Sequence, residues 1–388
     1  MTVAPLMGML RGNRCLTAAL CALAASAIGC GGPDTAANTS RPVAEPQDTN
    51  VVNLYIWADY LPPETLASFE KLTGIKVRVS IFDTNETLES RILTGNSGFD
   101  VVVPTAPFLQ RQIRSGAYLP LDKTKLPSLA NLDSGMMSRV ALNDPGNVHA
   151  VIYAWGTYGI GYNEKMVKEV LPGPPINSWR IIFDPVYASK LAKCGISTLD
   201  APAGVVRLVL KYLGRNPNAP SPQDLLDAEA VLLSIRPYIR LIDSSIDTQA
   251  IANGDICVAI GYNADFVQAR QRVKEARSDI IVRYVIPNEG SLLWFDTLAI
   301  PRDAPHPNNA HRLIEYLMNP QVMANITSTV GSANANSVSW PLLDKSIALD
   351  PMIFPTPEQQ QRLFVQSEDS PEQSRAITRI WQRFKTGQ

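Results

Sequence analysis

The sequence predicts an α/β fold on a parallel sheet, continued into a second lobe. Three observations predict it. From residue 51 onward, apolar runs of strand character alternate with segments of helical spacing, the order that produces a parallel sheet with right-handed crossovers. The strand candidates are apolar along most of their length, as in strands buried on both faces. Residues 150–162 then break the rhythm with a long extended stretch that reads as chain crossing to another lobe.

Val51, Val52, Leu54 and Ile56 make the first strand, which stops at the polar, aromatic tip Trp57-Ala58-Asp59-Tyr60 and at Pro62 and Pro63. Residues 65–72 carry helical spacing, with Leu66, Phe69 and Leu72 on one face. A strand follows over 76–82, a helix over 86–93, a buried strand over 99–104 ending at Thr105, and a helix over 108–116. Beyond the crossing stretch come a short helix at 164–170 and a proline-bearing, loop-rich segment at 172–187. Helices are expected at 204–213, 224–235, 265–276, 309–317 and 320–329, with a last helix carrying Ile380, Trp381 and Phe384. The remaining strands are 256–262, 280–286 and 292–300, the last returning to the first lobe.

Charge is balanced, 35 Lys+Arg against 36 Asp+Glu, so bulk electrostatics point neither to nucleic acid nor to an acidic membrane surface. The first 29 residues read as a secretory signal: Arg11 and Arg14 precede an uncharged Ala/Leu-rich run shorter than the roughly 20 apolar residues a membrane span needs. Its end, Ala27-Ile28-Gly29-Cys30, resembles a bacterial lipoprotein signal, which implies cleavage before Cys30 and lipid on that cysteine; an ordinary signal cut nearby is the alternative. Residues 30–50 read as a disordered tether. Of five cysteines, only Cys194 and Cys257 fall in the folded part. In an exported chain that suggests one disulfide, with two buried thiols as the alternative.

Enzymatic chemistry finds little support. His149, His306 and His311 are dispersed without metal spacing, His306 reading as solvated and His311 as lying on an exposed helix face. There is no G-x-S-x-G elbow, Walker loop or dinucleotide fingerprint. No cofactor is expected. What recurs is an aromatic beside a carboxylate at strand ends: Trp57/Asp59/Tyr60, Tyr262/Asp265 and Trp294/Asp296. Carboxylates neutralise an ammonium and accept its hydrogen bonds; aromatic faces attract the cation by roughly 0.5–2 kcal/mol each. Three unrelated core aromatics with local caps are the plainer interpretation.

From about Leu54 to the C-terminus the chain resembles the periplasmic polyamine-binding proteins of ABC importers, most closely the putrescine-binding branch. The resemblance is carried by W-A-D-Y at 57–60, F-E-K-L-T-G-I-K-V at 69–77, F-D-T-N-E at 82–86 and G-F-D-V-V-V-P-T at 98–105. It continues through G-I-G-Y-N at 159–163, L-D-A-P at 199–202, I-A-N-G-D-I-C-V-A-I-G-Y at 251–262, W-F-D at 294–296 and A-N-A-N at 333–336. It implies a type II two-lobe fold closing over ligand, with lobe 1 over 51–152 plus about 287–320 and lobe 2 over 153–286 plus about 321–388. It also implies a Cys194–Cys257 disulfide and a ligand set of Trp57, Asp59, Tyr60, Thr105, Ser244, Tyr262, Asp265, Trp294 and Asp296.

Three positions depart from that pattern. Ala203-Gly204 stand where the putrescine branch carries acidic residues, Ser332 replaces a Tyr, and Ala58 replaces a small polar residue. The resemblance therefore implies an extracytoplasmic, membrane-tethered lipoprotein that hands a polyamine or related organic cation to an inner-membrane permease. A ligand sensor of the same fold, a binder of a different amine and a secreted enzyme are the rival expectations.

Overall fold

The computed structural model describes residues 50–244 and 247–388. The expected signal, the lipidated Cys30 and the tether up to residue 49 lie outside the described residues. Ten strands order the rest: β1 Val51–Trp57, β2 Lys76–Phe82, β3 Val101–Val102, β4 Ala150–Asn163, β5 Ile196–Thr198, β6 Ile239–Ile242, β7 Val258–Tyr262, β8 Val282–Val285, β9 Ser291–Ala299 and β10 Leu363–Val365. Their spatial order is β2-β1-β3-β9-β4-β7-β5-β6, with β8 on β4 and β10 on β9.

Two parallel blocks, β2-β1-β3 and β7-β5-β6, are joined by the antiparallel pair β9 and β4. The 14-residue β4 makes the join. Its residues 150–157 pair with β9, and from Tyr158 onward it pairs with β7. β4 is buried at every position but Tyr162, which is why its sequence is apolar, aromatic and glycine-rich without alternation. Gly156 shows the cost of that burial: a Cβ there would stand 2.5 Å from Cζ2 of Trp294 and 2.2 Å from Oδ1 of Asn263.

Local signals set the helix ends. Pro63 opens the helix Pro63–Thr73, and Gly74 ends it in the left-handed region at φ 70°. Thr84 caps Asn85–Leu93 by accepting from the backbone N–H of Thr87. Pro371–Thr386 opens with a capping box between Ser370 and Gln373.

Several expectations need correction. The strand foreseen at 99–104 pairs regularly only at Val101–Val102. The loop-rich stretch at 172–187 holds the start of helix Pro185–Leu191 and all of Arg180–Phe183, because Pro185 occupies a helix N-terminal position rather than a turn. Leu72 is 74% exposed, so Phe69 and Thr65, not a three-residue apolar stripe, bury that helix. His306 is not simply solvated: its backbone N–H donates to Asp100 at 2.6 Å and its Nδ1 lies 3.0 Å from the same carboxylate. His311 is buried, accepting at Nε2 from the backbone N–H of Asp122 and bonding the Pro307 carbonyl through Nδ1. The disulfide is formed between Cys194 and Cys257, Cα atoms 5.5 Å apart.

Candidate functional site

The carboxyl ends of β1, β3 and β7 carry polar residues towards the middle of β9. In open α/β sheets this strand edge is where ligands bind. β1 ends at Trp57, whose indole N–H donates to the Val103 carbonyl at 3.0 Å. Past β3, Thr105 forms a backbone bridge to Asp296 of β9, reinforced by the Thr297 N–H donating to the Pro104 carbonyl at 3.0 Å. β7 ends at Tyr262, and Asp265 follows in the first turn of the helix Asn263–Glu275.

Asp296 is the centre of this convergence. It is 4% exposed. The Tyr60 hydroxyl donates to its Oδ2 at 2.6 Å, and the Thr105 hydroxyl donates to Oδ1 at 2.6 Å. Thr105 is itself clasped by Asn85, which accepts from its N–H and donates to its hydroxyl, both at 3.0 Å. Burial pushes the Asp296 carboxyl up to about 6, and the two hydroxyl donors pull the other way. The Tyr60 hydroxyl is held well above its ordinary range, by burial first and then by Asp296.

Aromatic side chains cluster on the elements that meet here. Trp57 and Tyr60 lie 6.4 Å apart by centroid, Tyr60 and Tyr153 6.1 Å, Tyr158 and Tyr262 4.8 Å edge to face, and Tyr262 and Trp294 6.2 Å edge to face. The Tyr153 hydroxyl donates to the Tyr60 carbonyl at 2.5 Å and so fixes the tip that carries Tyr60. Among the described residues, the indole N–H of Trp294 and the hydroxyl of Ser332 are buried and find no hydrogen-bond partner.

Of the residues expected from sequence, Tyr60, Thr105 and Asp296 are joined by hydrogen bonds, while ring contacts link Trp57 to Tyr60 and, separately, Tyr262 to Trp294. The charge of Asp265 acts on Tyr60 and Tyr262 together with that of Asp296, which puts it in the same neighbourhood. Asp59 stands apart from the hydrogen-bonded group, exposed at the turn after β1 with φ 56°, a backbone conformation that costs a non-glycine residue about 1 kcal/mol. Ser244 accepts from the Asp200 N–H at 3.0 Å, so its hydroxyl is engaged with the loop after β5. Tyr153, Tyr158 and Asn85 belong to the group and were not foreseen. The signal for the tyrosines was the density of aromatic residues in the crossing strand, which reads equally well as core.

A separate cavity of about 170 Å³ is lined by Asp133, Met136, Trp155, Trp340, Ala348, Phe354 and Gln360. Trp155 is paired with Phe295, so it faces away from Trp294 and Asp296 in the pleat. This cavity shares no residue with the Asp296 group.

Strands from two parallel blocks, joined by a shared antiparallel pair and presenting polar side chains at the join, define a two-lobe binding protein. Residues 64–354 match the family described as bacterial extracellular solute-binding protein, and the chain belongs to that family. It is 42% identical over 354 residues to the putrescine-binding periplasmic protein SpuD of Pseudomonas aeruginosa, covering 91% of this chain and 96% of that one. It is 43% identical over 342 residues to the putrescine-binding periplasmic protein PotF of Escherichia coli, covering 88% and 92%. The solved spermidine/putrescine ABC transporter substrate-binding protein PotD of Streptococcus pneumoniae superposes with a TM-score of 0.76 at 25% identity, over 87% of this chain and 99% of that one. The chain is a binding protein, not an enzyme.

Proposed function

We propose that this protein is the extracytoplasmic solute-binding component of an ABC importer and that it captures a polyamine in the cleft around Asp296. The observation that carries the ligand class is the Asp296 carboxylate itself. It is buried, it accepts from the hydroxyls of Tyr60 and Thr105, and among the described residues no cation is paired with it. A buried carboxylate without a counter-charge is costly, and an ammonium supplies that charge while the rings cover its methylenes. The periplasmic relatives named for putrescine support the same class.

In this reading Trp57, Asp59, Tyr60, Thr105, Ser244, Tyr262, Asp265, Trp294 and Asp296 form the ligand set. The lobes, 51–152 with about 287–320 and 153–286 with about 321–388, close across the join in β4. A lipid on Cys30 and a tether up to residue 50 would hold the domain at a membrane beside its permease. Mass spectrometry of the membrane-extracted protein tests the anchor: an unmodified Cys30 in the mature chain rules it out.

The test of ligand class is a thermal shift with putrescine, cadaverine, spermidine, spermine and agmatine. A ligand at 100 times its dissociation constant stabilises by about 2.7 kcal/mol. Asp265→Asn is expected to erase most of the shift without unfolding the domain. No shift with any amine would overturn the reading.

A further inference from the structure

We infer that Tyr158 is a specificity-determining residue of this site, its ring closing the wall at Gly204 and limiting the length of amine that fits. The inference rests on the polyamine reading of the Asp296 cleft.

Gly204 lies buried in the first turn of the helix Pro202–Tyr212. A Cβ at that position would stand 2.9 Å from both Cε1 and the hydroxyl oxygen of Tyr158, and 3.0 Å from its Cζ. The tip of the ring therefore occupies the volume that any side chain at 204 would take. Glycine and tyrosine form a matched pair, and the wall is made by Tyr158 rather than by the helix.

The ring is held in place from several sides. Its hydroxyl donates to the Tyr262 hydroxyl at 3.3 Å, and the two rings meet edge to face at 4.8 Å. Tyr158 is also the β4 residue paired with Tyr262, and its carbonyl accepts from the Ser291 hydroxyl at 2.6 Å. Tyr262 in turn meets Trp294, so Tyr158, Tyr262 and Trp294 form a continuous row of rings beside Asp296. Burial, with a smaller contribution from the Asp296 charge, pushes the Tyr158 hydroxyl up to about 12, so it faces the site neutral.

Beyond the ring the chemistry turns unfavourable for a cation. Arg207 is buried one turn further along the helix, its guanidinium bound to Asp369 and to the carbonyls of Ala203 and Ser367. An amine extended towards Gly204 meets a phenol and then a buried Arg207–Asp369 ion pair whose carboxylate is already satisfied. The side of the site at Gly204 has no room for a third amino group, and the carboxylate behind it, Asp369, is already taken by Arg207, so a compact diamine is the better fit.

Calorimetric titration of the purified protein with putrescine, cadaverine, spermidine and spermine tests this, with Tyr158→Ala, Tyr158→Leu and Tyr158→Phe alongside. The wild-type is expected to bind a short diamine about tenfold or more tighter than spermidine, since each misfitted methylene in a closed pocket costs roughly that factor. Both truncations should shrink that ratio about tenfold, and Tyr158→Phe, which keeps the ring volume, should preserve it. A ratio unchanged in both Ala and Leu variants overturns the inference while leaving the polyamine reading intact, as does a Phe variant that behaves like Ala. If no amine binds the wild-type protein, the polyamine reading fails and this inference fails with it.

Discussion

The Tyr60 hydroxyl donates to the Asp296 carboxylate at 2.6 Å across 236 residues of chain. Two segments remote in sequence thus share one buried charge, and removing the donor should be felt in the site and in the fold. Tyr60→Phe keeps the ring and deletes the hydrogen bond. It is expected to cost about 1–3 kcal/mol in urea denaturation, the range for a lost bond to a buried charged group, and to raise the Asp296 pKa further. An unchanged pKa in a carboxyl-resolved NMR titration would show that the hydroxyl does not solvate this carboxylate.

Burial lifts Asp296 from 3.8 to about 6, and the sign of its effect on stability follows. Between those values the folded protein holds a proton that the unfolded chain has released. Stability from this group is therefore present below pH 4 and is lost as pH rises to about 6, by about 3 kcal/mol in all. Amine binding runs the other way, because an ammonium needs the ionised form: affinity should fall about tenfold per pH unit below 6. Denaturation and titration series across pH 4–8 measure the two opposite slopes.

Asp296→Asn separates the two effects. The amide does not titrate, so the slope in stability between pH 4 and 6 should flatten. At pH 7.5 the variant is expected to be at least as stable as the wild-type without ligand, although the amide cannot accept well from both Tyr60 and Thr105. Amine affinity should drop by about 100-fold or more, the cost of removing one member of a buried charge pair. A variant that binds normally would move the ammonium contact elsewhere.

Gly156 is pressed against Trp294 and Asn263, and Asn263 is anchored by accepting from the Thr157 N–H at 2.9 Å and donating to the Met352 carbonyl at 2.9 Å. Neither neighbour can give way cheaply. Gly156→Ala is expected to cost about 1–3 kcal/mol as an overpacked core site and to push the indole towards Asp296, weakening amine binding. Thermal melts and calorimetry read the two losses.

The Cys194–Cys257 bond closes 63 residues of separation and joins the segments that enter β5 and β7. In the chain-entropy view a loop of that length contributes about 4 kcal/mol. The paired Cys194→Ser, Cys257→Ser variant should lose stability of that order in guanidinium while keeping its amine affinity, because neither cysteine touches the Asp296 group. Equal midpoints for oxidised and reduced wild-type protein would contradict this.

Much of the fold was legible in the sequence because its signals are local. Apolar runs mark β1, β2, β7 and β9, and Gly74 marks the end of the helix that follows β1. The glycine- and tyrosine-rich run at 150–162 was readable as a crossing strand, and the tip Trp57-Ala58-Asp59-Tyr60 as a site candidate. The misreadings arose where a residue's meaning depends on a distant partner. His306 and His311 read as surface histidines until Asp100 and the Asp122 N–H were brought to them. Pro185 read as a loop signal, though it begins a helix.

The sequence alone determined the alternation of strand and helix in the first lobe, the crossing strand at 150–162, and the repeated pairing of aromatics with carboxylates, all properties of neighbouring residues; the short strands β5, β6 and β10 were not read from it. Only the tertiary structure decided that Asp296 would be the carboxylate stripped of water and held by Tyr60 and Thr105, and that Tyr158 would fill the space beside Gly204. Desolvation and steric closure depend on surfaces contributed by segments far apart in the chain, and they take their values only when those segments meet.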